Sequence, residues 1–247
     1  MIEYDQYVYT KRERIRSGLE GGVGGFILFM LFYNHIWFCL ICSVPAAAFY
    51  MRIRKKTLME KRRWELTIQF KDAMESLVSA WSAGYSLENA VREAEKELVL
   101  MYHQGDLIIR EFAYMSHQIS LKVSVEALMK DLGRRSGVED IVVFSEILTT
   151  AKRTGGNLVE VMRRTAGNIS EKIEMKREIE TLISGKKMEA NCMTAIPLLM
   201  IVYLRVCSPG FLEPLYHNMM GIIVMTGALL VYACSFLWGQ KIMKIEF

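Results

Sequence analysis

The chain has 247 residues, 52% of them hydrophobic, and its 31 Lys and Arg against 27 Asp and Glu leave a net charge of +4. So small an excess, with the two signs interspersed, excludes a phosphate-tracking surface and hence nucleic acid as a partner. The placement of charge also excludes a simple soluble globule. Of the 58 charged residues, 45 fall between Arg52 and Glu189, none falls in 21–51, and only Arg205 and Glu213 fall in 190–240. A bilayer imposes that division, because a charge at its centre costs about 3 kcal/mol or more.

Residues 1–20 form an N-terminal segment that carries Lys11, Arg12, Arg14 and Arg16 ahead of the first apolar run and is expected in the cytosol. The run at 21–51 would reach about 45 Å as one helix, too long for an upright span. Asn34-His35 interrupt it, and Arg52, Arg54, Lys55 and Lys56 follow it. Basic flanks on both sides predict a hairpin with both ends inside, the alternative being a single tilted span. Ala46-Ala47-Ala48 is no signal-peptidase site, since the apolar stretch before it is too long and basic residues follow. Gly25-Phe26 is no prepilin site either: the glutamate such a site requires is replaced by Met30.

Residues 52–189 read as one helical domain. Trp64, Leu66, Phe70, Ala73, Met74, Leu77 and Trp81 recur at three- and four-residue spacing. Gly84 is placed to end that helix and Ser86 to cap the next, which runs to about His103. After Gly105-Asp106 a second stripe follows through Ile108, Ile109, Phe112, Met115 and Ile119. Ser124 caps a short helix closed by Gly137; Ile141, Phe144, Leu148 and Ala151 mark another, closed by Gly155-Gly156. Asn157 then caps a long helix from Leu158 to Leu182. Amphipathic helices joined by glycine turns predict an antiparallel bundle, making the chain all-α. The first and last of these helices abut the apolar segments without a linker, so movement of the bundle would reach the membrane mechanically.

Residues 190–207 and 219–240 are each long enough to span the bilayer, and 208–218, with two prolines and a glycine, read as a short external loop. Lys186 and Lys187 before the pair, and Lys241 and Lys244 after it, place both flanks and the 241–247 tail in the cytosol.

The residues that carry chemistry are sparse. His35, His103, His117 and His217 show no helical metal-ligand spacing, and Thr154-Gly155-Gly156-Asn157 lacks the lysine and the preceding strand of a phosphate loop. The five cysteines sit in or beside apolar segments, where Cys39 and Cys42 read as small buried residues rather than a redox pair. Carboxylates such as Glu93, Glu95 and Glu97 alternate with bases, as on a solvated helix face. No catalytic, metal or cofactor site is expected.

Two segments carry a resemblance. LTIQFKDAMESLVSAWSAGYSLENA, from Leu66 to Ala90, and EILTTAKRTGGNLVEVMRRTAGNI, at 146–169, resemble the type II secretion system F family in its helix–Gly-Tyr-Ser-Leu turn and its Gly-Gly-x-Leu turn before a long helix. The order of segments is similar to the single-domain platform proteins of tight-adherence (Flp) pili. The resemblance implies a non-enzymatic subunit of the cytoplasmic membrane, partnered by a hexameric secretion ATPase, by a pilin or pseudopilin, and by a paralogous platform protein or a second copy of itself. It makes the turns at Gly84 and at Gly155, Gly156, Asn157 and Leu158 candidate structural or partner sites. Arg205, near the outer end of its span, then has two readings: a snorkelling anchor, or a transient cation for the carboxylate of a pilin helix. The competing classes are a membrane enzyme with its site in the spans, which would need paired polar groups there, and a transporter subunit, which would need a polar stripe along a span.

Overall fold

The computed structural model describes residues 11–33, 35–154, 158–208 and 210–243, and among them the regular structure is helical. In chain order the helices are α1 (Lys11–Tyr33), α2 (Ile36–Ser82), α3 (Leu87–Met101), α4 (Leu107–Ser120), α5 (Val125–Ser136), α6 (Glu139–Thr154), α7 (Leu158–Cys207), α8 (Glu213–His217) and α9 (Met219–Met243). The described chain divides into two compact units. One is a bundle spanning Lys55–Lys176; the other is an apolar unit made of Tyr9–Arg54 and Arg177–Phe247. α2 and α7 each contribute residues to both.

In the bundle the helix-spaced stripes become the core. Leu66, Phe70, Ala73, Met74 and Leu77 of α2 are fully or almost fully buried, as are Ala90, Val91, Ala94 and Leu98 of α3. Ile108, Phe112 and Met115 of α4, Leu132 of α5, Phe144 of α6 and Met162 of α7 complete it. Phe70 meets Phe144 edge to face at 5.5 Å between ring centres. Burying each large side chain contributes about 1.5–3 kcal/mol. Helix ends are closed locally: Ser86 accepts from the Asn89 N–H at 3.3 Å, Ser124 from that of Ala127 at 3.4 Å, and Gly137 ends α5 in the left-handed conformation. The Gln69 side chain accepts from the Ile108 N–H at 3.1 Å, so a residue of α2 satisfies an open donor at the buried start of α4. Gly133 lets α5 approach α6, where a Cβ would lie 3.1 Å from the Val142 backbone.

In the apolar unit the run at 21–51 is a hairpin. Gly21 lies against Tyr50 and Gly25 against Ala46, so α1 and the first part of α2 run antiparallel. The two helices are longer than the charge-free run, because α1 begins at Lys11 and α2 continues well past Tyr50. At 23 residues, α1 reaches about 34 Å, enough for a full crossing. Arms confined to the charge-free run would each be about half a span long, and the extension of both helices past its ends removes that mismatch.

Four described helices are long and apolar enough to cross a membrane, α1, α2, α7 and α9, and their most apolar windows are 17%, 6%, 0% and 6% buried. Apolar surface left this open needs lipid rather than water as its solvent. The segment 208–218 is more than an exposed loop. It contains α8, and Leu212 just before that helix is buried.

Candidate functional site

Three places concentrate polar or strained geometry. The first is the set of turns in the bundle. At the end of α2, the Gly84 N–H bonds the Trp81 carbonyl at 3.0 Å and the Tyr85 N–H reaches back to Ala80 at 3.3 Å. This pair of bonds forms a left-handed cap, with Gly84 at φ +93°. Nothing lies within 4 Å of where a Cβ would sit, so the glycine answers the backbone angle rather than a shortage of space. The same bond pattern ends α4, with Lys122 N–H to Ile119 at 3.0 Å and Val123 N–H to Gln118 at 3.1 Å, but a lysine at φ +69° holds the left-handed position. Gly155, Gly156 and Asn157 lie outside the described residues, and α7 opens at Leu158.

The second is a buried ionic group between α4 and α5. The Arg135 guanidinium donates to both oxygens of Glu111, at 3.0 and 2.7 Å, and its Nε donates to Asp131 at 2.6 Å. Glu111 is 5% exposed and Arg135 9%. The bonds to Glu111, against the cost of burial, and the bond to Asp131 raise the Arg135 pKa above its ordinary value. Both Glu111 oxygens are engaged by one fork, so the group clamps helices and offers no free carboxylate for acid–base work. Sequence reading missed it. Its signal was the position of Glu111 three residues after Ile108 and four before Met115, on the apolar face of α4.

The third lies in the apolar unit, at the end where α1 turns into α2. Arg205 Nη1 of α7 donates to the Met30 carbonyl at 3.0 Å. The Tyr216 hydroxyl of α8 donates to the Leu31 carbonyl at 2.8 Å, and the Tyr33 hydroxyl shares a 2.8 Å hydrogen bond with Thr226 of α9. Beside them a half-open cavity of about 310 Å³ is lined chiefly by apolar surface, including Phe32, Tyr33, Phe38, Tyr216 and Met225. Of the sequence-predicted residues only Arg205 belongs here. Its guanidinium reaches the backbone of its own chain, a contact neither sequence reading had considered. Among the described residues no three His, Cys, Asp or Glu side chains gather as a metal site would require.

The sequence model of the family described as Type II secretion system (T2SS), protein F matches residues 69–204, more than half of the chain. The chain belongs to that family. The protein F match begins at Gln69, the residue that caps α4, and ends at Leu204, one residue before Arg205. It thus covers most of the bundle core and nearly all of α7, while the hairpin, α8 and α9 lie outside it. With the apolar helices, membership makes this a membrane protein of secretion machinery. No curated protein and no solved structure matches the chain.

Proposed function

We propose that the chain is a non-enzymatic platform subunit of the cytoplasmic membrane, of the tight-adherence pilus kind. It couples a hexameric cytosolic ATPase to the extraction of pilin or pseudopilin from the bilayer and acts beside a paralogue or a second copy of itself. The observation that carries the reading is the continuity of α2 and α7. Each runs as one helix from apolar membrane sequence into bundle sequence, over 47 and 50 residues. The prolines inside them, Pro45 and Pro197, lie within the apolar stretches and not at the junctions with the bundle, so a load applied to the bundle reaches the start of the spans without a compliant linker. The basic residues Arg52, Arg54, Lys55, Lys56, Lys186 and Lys187 at those boundaries favour a cytosolic bundle. In this arrangement hydrolysis belongs to the ATPase, and the chain supplies the moving connection.

The test is co-purification with topology. Full-length chain in mild detergent should retain the hexameric ATPase, and reporters should read cytosolic within 52–189 and after Phe247, and external at Glu213. An external signal from the bundle would remove the ATPase contact and end the reading.

A further inference from the structure

The C-terminus of α1 has a problem that the helix itself does not solve. The last four carbonyls of a helix, here Met30, Leu31, Phe32 and Tyr33, have no donors within the helix. Only residues 34–35 separate α1 from α2, and α2 opens its own ladder at once, with the Cys39 N–H on the His35 carbonyl at 3.0 Å. Carbonyls left open at a helix end must be satisfied from outside the helix. Two of them are. Arg205 takes Met30 and Tyr216 takes Leu31, from a helix and a segment 175 and 185 residues further along the chain. Arg205 also brings a positive charge to the negative end of the α1 dipole, the favourable sign at a helix C-terminus. The Tyr33–Thr226 bond adds a tie to α9.

We infer that Arg205 and Tyr216 form a latch on the hairpin tip: they cap the C-terminus of α1 from outside and so lock the tip to the ends of α7 and α8. The closed state is held by the two side chains that donate to the last turn of α1. The latch is made of exchangeable hydrogen bonds rather than packed apolar surface, so it opens when Arg205 or Tyr216 is drawn to another acceptor. Its two members are positioning residues. The latch concerns the apolar unit alone and does not depend on the proposed ATPase or pilin.

The test is a distance measurement on the full chain in lipid nanodiscs, with no partner added. The five cysteines, Cys39, Cys42, Cys192, Cys207 and Cys234, are replaced by alanine. Spin labels are placed at the exposed positions Ile27→Cys on α1 and Val206→Cys on α7. The parent should give a single narrow distance. Arg205→Met should add a longer component, with the ratio of open to closed forms raised about tenfold, the effect of losing one charge-assisted bond. Arg205→Lys, which keeps a cationic donor, should return most of the population to the parent distance, and Tyr216→Phe should open the tip less than Arg205→Met. Parent-like distances in both Arg205→Met and Tyr216→Phe would overturn the latch. So would Arg205→Lys opening the tip as far as Arg205→Met. Should Arg205→Met fail to insert, Tyr216→Phe decides alone, because it removes a single oxygen and a narrow parent distance in it would contradict the inference.

Discussion

Replacing Arg135 by Met should be among the most damaging single changes in the bundle. The substitution removes bonds of 3.0 and 2.7 Å to Glu111 and one of 2.6 Å to Asp131, while the methionine still fills most of the volume. What remains is a carboxylate at a position 5% exposed that has lost its guanidinium fork. Breaking a buried pair in this way costs about 3–5 kcal/mol. Against a domain stability of about 5–15 kcal/mol, this is a quarter to most of the total. Hydrogen exchange over residues 107–136 of the full chain in nanodiscs is the assay. A loss of about 4 kcal/mol should speed exchange through the opened bundle on the order of 1,000-fold. Pairing Arg135→Met with Glu111→Leu should restore most of the protection, because a well-packed apolar pair replaces a buried ion pair at little cost. A single variant within threefold of wild type would refute the claim that the pair is desolvated and mutually dependent.

Other consequences follow from the turns and charges. Lys122→Gly should stabilise the bundle by about 0.5–1 kcal/mol, since glycine occupies φ +69° without the Cβ penalty; a fall in melting temperature would contradict the cap assignment. Gly84→Val should do the reverse, lowering stability by about 1 kcal/mol or more before any partner contact is affected. Unchanged melting with lost ATPase binding would make that turn an interface instead. Burial opposes the charged form of Glu126, but the hydrogen bond and charge of Lys152 on α6 prevail and hold its carboxyl below the ordinary 4.5. A lowered carboxylate pKa contributes stability that is present above the ordinary value and is lost as pH falls through the folded one. The melting difference between wild type and Glu126→Gln should therefore be present at neutral pH and shrink below pH 4.5; a difference that grows on acidification would contradict it.

The elements visible in the sequence were those whose cause is local. The stripes through Leu66, Phe70 and Leu77, and through Ile108, Phe112 and Met115, repeat with the helical period because burial follows that period. Ser86, Ser124 and Gly137 announced helix ends because the cap needs those residue types. Lys122 gave no such signal, since nothing about lysine marks a left-handed turn. Glu111 gave little, because a charge inside a stripe reads as a solvated face until its partner, 24 residues away, is known. The capping of α1 by Arg205 and Tyr216 was invisible for a stronger reason. The acceptors are backbone carbonyls, which every residue carries, so only the fold singles out Met30 and Leu31. The inclusion of Lys11 to Arg16 in α1 was also hidden, because composition draws a span at its last charge while a long basic side chain can extend toward the headgroups from within the helix.

If α7 carries force between bundle and spans, a flexible break in it should uncouple the two. Gly185 lies within α7, between the bundle and the apolar end of the helix, with open space about it. Inserting a flexible Gly-Ser-Gly-Gly segment after Gly185 should leave membrane insertion, bundle stability and ATPase co-purification unchanged while abolishing pilus assembly in cells carrying the variant. Assembly at the wild-type rate, with the insertion verified in the membrane, would show that the continuous helix transmits nothing the machine requires.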